Sequence, residues 1–262
     1  MAIKSPLVLA IALTLATPAA LALQNQSKVS DDIRVAAKSA VGNVDTVSGD
    51  IDLETGVRAG SVSTVSGDID IDAGVTAKNV ESVSGDIQGD ADVQLGDAET
   101  VSGDIELGAR GRAGSVQTVS GDIRFDNGGR LESTETVSGD VFINRDGRVA
   151  RGVETVSGSV GLVASEVGGD IVTYTGDVTV GVGSHVRGGL TVRKPKKNGG
   201  ITIVNLRVKQ DPPRIIIGPN ARVDGALTFE HEVKLYVHRT ARIGKITGAT
   251  PVYFDTPRAP AN

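Results

Sequence analysis

Six aspartates, Asp50, Asp68, Asp86, Asp104, Asp122 and Asp140, recur every 18 residues, each after a glycine in a phrase such as "TVSGDI". Stacked on one edge of a regular coil, they would form a carboxylate ladder, with Asp52, Asp70 and Glu106 beside it. Two unit charges about 4.8 Å apart repel by roughly 0.9 kcal/mol even in bulk water, so such a column calls for cations, nearby donors or raised pKa values. Ca²⁺, which takes about six to eight oxygens, is the cofactor that the six aspartates could hold. The glycine-dense nonapeptide of calcium-binding β-rolls is missing, however. The competing reading is structural: glycine makes a bend, and Ser and Asp side chains accept backbone amides around it.

The same phrase carries a second ladder, Thr46, Thr64, Thr100, Thr118, Thr136 and Thr155, two residues from Ser48, Ser66, Ser102, Ser120, Ser138 and Ser157. If the intervening valines point inward, both columns point outward, and a flat T-x-S face resembles the hydroxyl arrays of ice-binding solenoids. Exposed strands also favour threonine for its own sake.

Enzyme signatures are poor. His185, His231 and His238 are the only histidines, "HEVKLYVH" is not a zinc H-E-x-x-H, and no serine sits in a G-x-S-x-G elbow. Solenoid enzymes that cleave polysaccharides assemble acid clusters from residues that interrupt a repeat. Here the acids are the repeat itself. The expectation is therefore a non-enzyme with no catalytic residue, a polysaccharide-active enzyme being the minor alternative.

The positioning elements follow from the period. Glycines at 49, 67, 85, 103, 121 and 139 lie 18 apart, then at 158 and 176, and a degenerate first copy, "KVSDDIRV", precedes them; nine copies result. Apolar residues keep fixed phases in four rows, which start at Val44, Val47, Ile51 and Leu53. Alternation such as Ile51-Asp52-Leu53 is a strand signal. Each copy reads as one coil of an all-β, single-stranded parallel β-helix, with bends at Gly49 and near Gly56 and coils stacked about 4.8 Å apart. Val47, Leu53 and Ala59 are six apart, which suggests a three-sided left-handed coil; Asp45, Glu81, Glu99 and Glu135, where small residues are expected, speak against it.

Composition agrees with thin aliphatic layers: aromatics are 3%, tryptophan and cysteine are absent, and there are 34 glycines. The first 22 residues carry Lys4, an apolar run and the pattern Ala20-Leu21-Ala22, which reads as a cleaved secretory signal. Without cysteine there is no disulfide and no lipid-modified anchor. The expectation is a periplasmic, secreted or cell-surface protein with no integral membrane segment after cleavage. Charge is asymmetric: Leu23 to Val186 holds 12 basic against 27 acidic residues, a balance of −15, and Arg187 to Asn262 holds 14 against 5, a balance of +9. Nucleic acid is not an expected partner, since no recognition motif or aromatic platform is present. Anionic envelope polymers, glycans and a second copy of the chain are the candidates.

Four segments result: a signal peptide (1–22), an acidic solenoid (23–192), a basic Pro/Gly-containing loop or linker (193–214) with one strand at "ITIVNLRV", and C-terminal coils and tail (215–262). In the last, "ARVDGALTF" and "ARIGKITGA" echo each other at 20 residues, and "HVRGGLTV" resembles the first.

The serial "TVSGDI" phrases, from about Val29 to Val180, resemble the bacterial β-strand-repeat adhesin family. That resemblance implies a right-handed single-stranded β-helix and supplies no catalytic residue. The segment "IIIGPNARVDGALTFEHEVKLYVHRTARIGKITGA" resembles bactofilin-type polymer-forming proteins, whose β-helices join end to end. The leading expectation is a non-enzymatic envelope solenoid, adhesin-like or scaffold, that self-associates through its basic C-terminal coils. The alternative is a cation- or glycan-binding module using the aspartate ladder.

Overall fold

The computed structural model describes residues 23–195 and 211–260. The signal-like leader and the "ITIVNLRV" strand lie outside the described residues, as does most of the basic "RKPKKNGG" loop.

The described residues wind into a parallel β-solenoid of twelve coils. Each contributes one short strand to a twelve-stranded sheet that runs from Ile33–Val35 at one end to Val252–Phe254 at the other. The remaining strands form a second, seventeen-stranded sheet. Register follows the repeat, with Ile51 opposite Ile69, Ile69 opposite Ile87 and Ile105 opposite Ile123. Coil stacking continues across the C-terminal insertion, for Val178 pairs with Ile215, 37 residues on, and Ile215 with Leu235. The echo between the "ARV" and "ARI" segments is also a pairing, Val223 opposite Ile243.

Alternation within each short strand sets the core. Ile51 and Leu53 are buried on either side of the outward-facing, half-buried Asp52, and the same alternation recurs in Ile123 and Phe125 around the exposed Arg124. Three of the four expected apolar rows are interior: those starting at Val44, Ile51 and Leu53. The row starting at Val47 is not. Val47, Val65, Val83, Val101, Val119 and Val137 are all exposed, by 41–45%.

Thr46, Thr64, Thr100, Thr118, Thr136 and Thr155 take the interior positions instead. The reason is phase: Val44 points in, so residue 45 points out, 46 in and 47 out, and the bend at 48–49 follows before the next strand. Val47 thus leaves the six-residue series with Leu53 and Ala59. The flat T-x-S face does not form either, because its threonine column is inside while its serines are outside.

A second corner lies near Gly56, as the sequence suggests. Lys38, Gly56, Gly74, Asp92, Arg110, Gly128, Asp146, Ala164, Gly183 and Asn220 occupy one column and all have positive φ, between 44° and 76°. Glycine is the low-strain residue there, since an L side chain in this region costs about 1–2 kcal/mol.

Candidate functional site

The V-S-G-D corner explains why its residue types repeat. Successive glycines stack backbone on backbone: a Cβ on Gly121 would lie 1.8 Å from the Gly103 carbonyl oxygen, and one on Gly139 would lie 1.6 Å from that of Gly121. The buried threonines tie these corners together. Thr64, Thr100 and Thr118 each donate a hydroxyl to the glycine carbonyl of the preceding coil at 3.2 Å. In later coils Gly139, Gly158 and Gly176 donate their amides to Thr136, Thr155 and Thr173.

The six aspartates do stack, and each is used by the backbone. Asp50 Oδ1 accepts the Asp68 amide, Asp68 the Asp86 amide, Asp86 the Asp104 amide and Asp104 the Asp122 amide, at 2.7–2.9 Å. Asp122 continues to Asp140, and Asp140 to Ser159. Asp32 starts the staircase by accepting the Asp50 amide. Asp177, in "YTGDV", repeats the device across the insertion by accepting the Arg214 amide at 2.7 Å. One oxygen of each carboxylate is thus committed to the fold, as the structural reading expects. Among the described residues, no group of three or more His, Asp or Glu side chains is arranged to hold a metal ion.

Beside the staircase lies a trough of about 730 Å³. Its floor is the outward column Arg34, Asp52, Asp70, Gln88, Glu106 and Arg124, paired strand to strand in register. Arginines close both ends. Arg34 Nη2 reaches Asp52 Oδ2 at 2.6 Å. Arg124 binds Glu106 and Asp122, each at 2.6 Å. Between them lie Asp70, which has no ion-pair partner among the described residues, and Gln88, with Asp72 and Asp90 also lining the trough.

The Asp70 carboxyl is pushed above the usual carboxylate range by partial burial first, then by the charges of Asp52, Asp68, Asp50 and Asp72. At its centre the trough has Gly89, the one gap in the inward row of Leu53, Ile71 and Leu107. Leu107 leans into that space, since a Cβ on Gly89 would meet Leu107 Cδ2 at 2.6 Å. Chemically, the trough offers carboxylates and an amide to cations or to polyhydroxylated ligands.

Of the residues picked out by sequence, Asp52, Asp70 and Glu106 converge here, while none of the six ladder aspartates lines the trough. Gln88, Gly89, Arg34 and Arg124 were not anticipated as lining residues. The break of the leucine row at Gly89 was the available signal. The histidines do not join the trough: His185 Nε2 pairs with Asp224 Oδ2 at 2.8 Å, His231 contacts the Tyr174 carbonyl, and His238 packs edge-on against Phe254.

A further pattern that the sequence reading did not isolate is the series Arg112, Arg130 and Arg148. It is spaced by 18 in "GRA", "GRL" and "GRV", on the opposite sheet.

No curated protein and no solved structure matches the chain. Residues 32–162 match the family model described as Toastrack DUF4097, which spans half of the chain and covers most of the aspartate staircase, ending before the C-terminal coils. The chain belongs to the Toastrack DUF4097 family.

Proposed function

We propose that this β-solenoid is a non-enzymatic scaffold or adhesin-like element of the cell envelope, periplasmic or at the cell surface, whose units associate end to end. The observation that carries the reading is the pair of open edges on the twelve-stranded sheet. Among the described residues, Ile33–Val35 has no partner on its outer side, nor has Val252–Phe254, where Val252 and Tyr253 are more than half exposed. Exposed strand edges present unpaired backbone donors and acceptors and template pairing with another chain. The acidic body and the basic C-terminal quarter give head-to-tail contact a favourable charge arrangement. The resemblance of Ile215 to Ala249 to polymer-forming bactofilin-type coils supports the same reading, and the signal-like leader supports the compartment.

Light scattering and electron microscopy of the mature chain across a salt series test it. Assemblies at low salt that dissociate as salt screens the ends are expected. A monomer at high concentration and low ionic strength would overturn the proposal.

One observation favours a second reading, a cation- or glycan-binding module: the Asp70 carboxyl, raised by partial burial and then by its acidic neighbours, sits in a trough that a cation or a hydroxyl-rich ligand would relieve. Binding to the folded state must raise its melting temperature. An unchanged transition in millimolar calcium removes the cation version.

A further inference from the structure

Arg112, Arg130 and Arg148 stand on three successive strands in direct register, Arg112 opposite Arg130 and Arg130 opposite Arg148. All three side chains are exposed, while the residues after them, Ala113, Leu131 and Val149, turn into the interior. The guanidinium groups therefore form a ladder with the coil spacing of about 4.8 Å. Like charges directly opposite one another on adjacent strands destabilise a sheet. This ladder is a basic island on a body whose balance is −15.

The carboxylates around the ladder are largely taken by other arginines. Asp92 is held by Arg110 at 2.5 Å, Glu132 by Arg151, and Glu166 by Arg187 at 2.5 Å, with Arg148 further off at 3.7 Å. Among the described residues, Arg112 and Arg130 have no ion-pair partner; Asp146 is the remaining acid that lines the same grooves. Grooves of about 290, 330 and 440 Å³ run along the three arginines. Of the neutral hydrogen-bonding groups, Gln94 pairs with Arg112 and lines one groove, while the Ser115 and Ser133 hydroxyls, 3.4 Å apart, lie three residues further along the same strands.

From this placement we propose that the arginine ladder is a binding strip for a linear acidic polysaccharide, each guanidinium taking a carboxylate of the polymer and Gln94 taking one of its hydroxyls. Arginine's planar fork suits bidentate pairing with carboxylates. The acidic body around the strip disfavours a denser polyanion such as polyphosphate, and a polymer with about one charge per sugar fits the mixed lining better. The strip lies on the side of the solenoid, away from its ends, so the inference goes beyond end-to-end assembly and stands or falls separately from it.

Isothermal titration of the mature chain with oligogalacturonate, at two salt concentrations and at protein concentrations where it is monomeric, tests the strip. Binding is expected, weakening with salt. The triple variant Arg112→Gln, Arg130→Gln, Arg148→Gln should lose at least tenfold in affinity, and the salt dependence of binding should weaken with it. Arg239→Gln, in a C-terminal coil, should bind as the parent does. If the triple variant fails to fold, Arg130→Gln alone should still weaken binding about threefold and lessen its salt dependence. Unchanged affinity in the variant that folds, equal binding of uncharged dextran, or binding of polyphosphate but not of the polyuronate would each overturn the proposal.

Discussion

Thr118 and Thr134 are both buried, yet replacing each with valine should move stability in opposite directions. The Thr118 hydroxyl donates to the Gly103 carbonyl at 3.2 Å, at the point where two glycine corners stack. Thr118→Val keeps the shape and removes the donor, so a buried carbonyl loses a partner; the cost is about 1–2 kcal/mol, near the lower end for an orphaned group because the bond is long. The Thr134 hydroxyl has no partner among the described residues and lies in a column between Val116 and Val153. Thr134→Val relieves an unmet desolvation penalty and should stabilise by about 1 kcal/mol. The two variants should therefore differ by about 2–3 kcal/mol. Urea unfolding followed by far-ultraviolet circular dichroism measures this, the chain having no tryptophan for fluorescence. Val119→Thr is the internal control: Val119 is 44% exposed, so the change should stay within about 0.5 kcal/mol. A costly Val119→Thr beside a neutral Thr118→Val would show that valine, not threonine, faces the core and would refute the phase described above. Equal shifts in the two threonine variants would refute the hydrogen-bond assignment.

The aspartate staircase predicts a contrast at one position. Asp104→Ala orphans the Asp122 amide and should cost about 1–3 kcal/mol, whereas Asp104→Asn retains an acceptor oxygen and should cost clearly less, as paired thermal melts would show. Asp70 predicts a pH effect with the opposite sign to that of a salt-bridged carboxylate. Its pKa is raised in the folded state, so the folded chain holds this proton more tightly than the unfolded one, and its contribution makes stability fall as pH rises from the ordinary carboxylate value through the raised one. Asp70→Asn should therefore stabilise at neutral pH and flatten that part of the stability–pH profile; an unchanged profile would show that the trough does not perturb the group.

The period of 18, the strand class and the bends were legible because every coil repeats the same solution, so Ile51, Ile69 and Ile87 announce one another. The error over Val47 arose where hydropathy and alternation disagree. Counting valines as core overlooked that Val44 already fixes the phase and that a buried threonine can be satisfied by a glycine carbonyl one coil away. The aspartates' position was legible, and so was their structural use, from the Gly-Asp pairing at a bend. The trough was less so, since its shape depends on an absence, the missing side chain at Gly89, and its charge on arginines 90 residues apart, Arg34 and Arg124. The arginine ladder was hidden for a simpler reason: its members fall in a phase of the repeat that elsewhere holds Arg58, Thr76 and Gln94, so no constant letter marks it.

The staircase also has a direction. Each carboxylate serves the amide of the coil that follows it in sequence, from Asp32 through Asp140, and Asp177 does the same across a 37-residue interval. Along the run from Asp32 to Asp140 each corner is joined to its neighbour through the same contact, which makes those coils interchangeable parts; the coil of Ser159 lacks the carboxylate. Length can then change by whole coils, through duplication or loss of 18 residues, without redesign of any junction, and extra chain can be spliced in between Val192 and Arg214 while the stacking resumes on the far side. Such a solenoid can be lengthened or shortened in steps of about 4.8 Å.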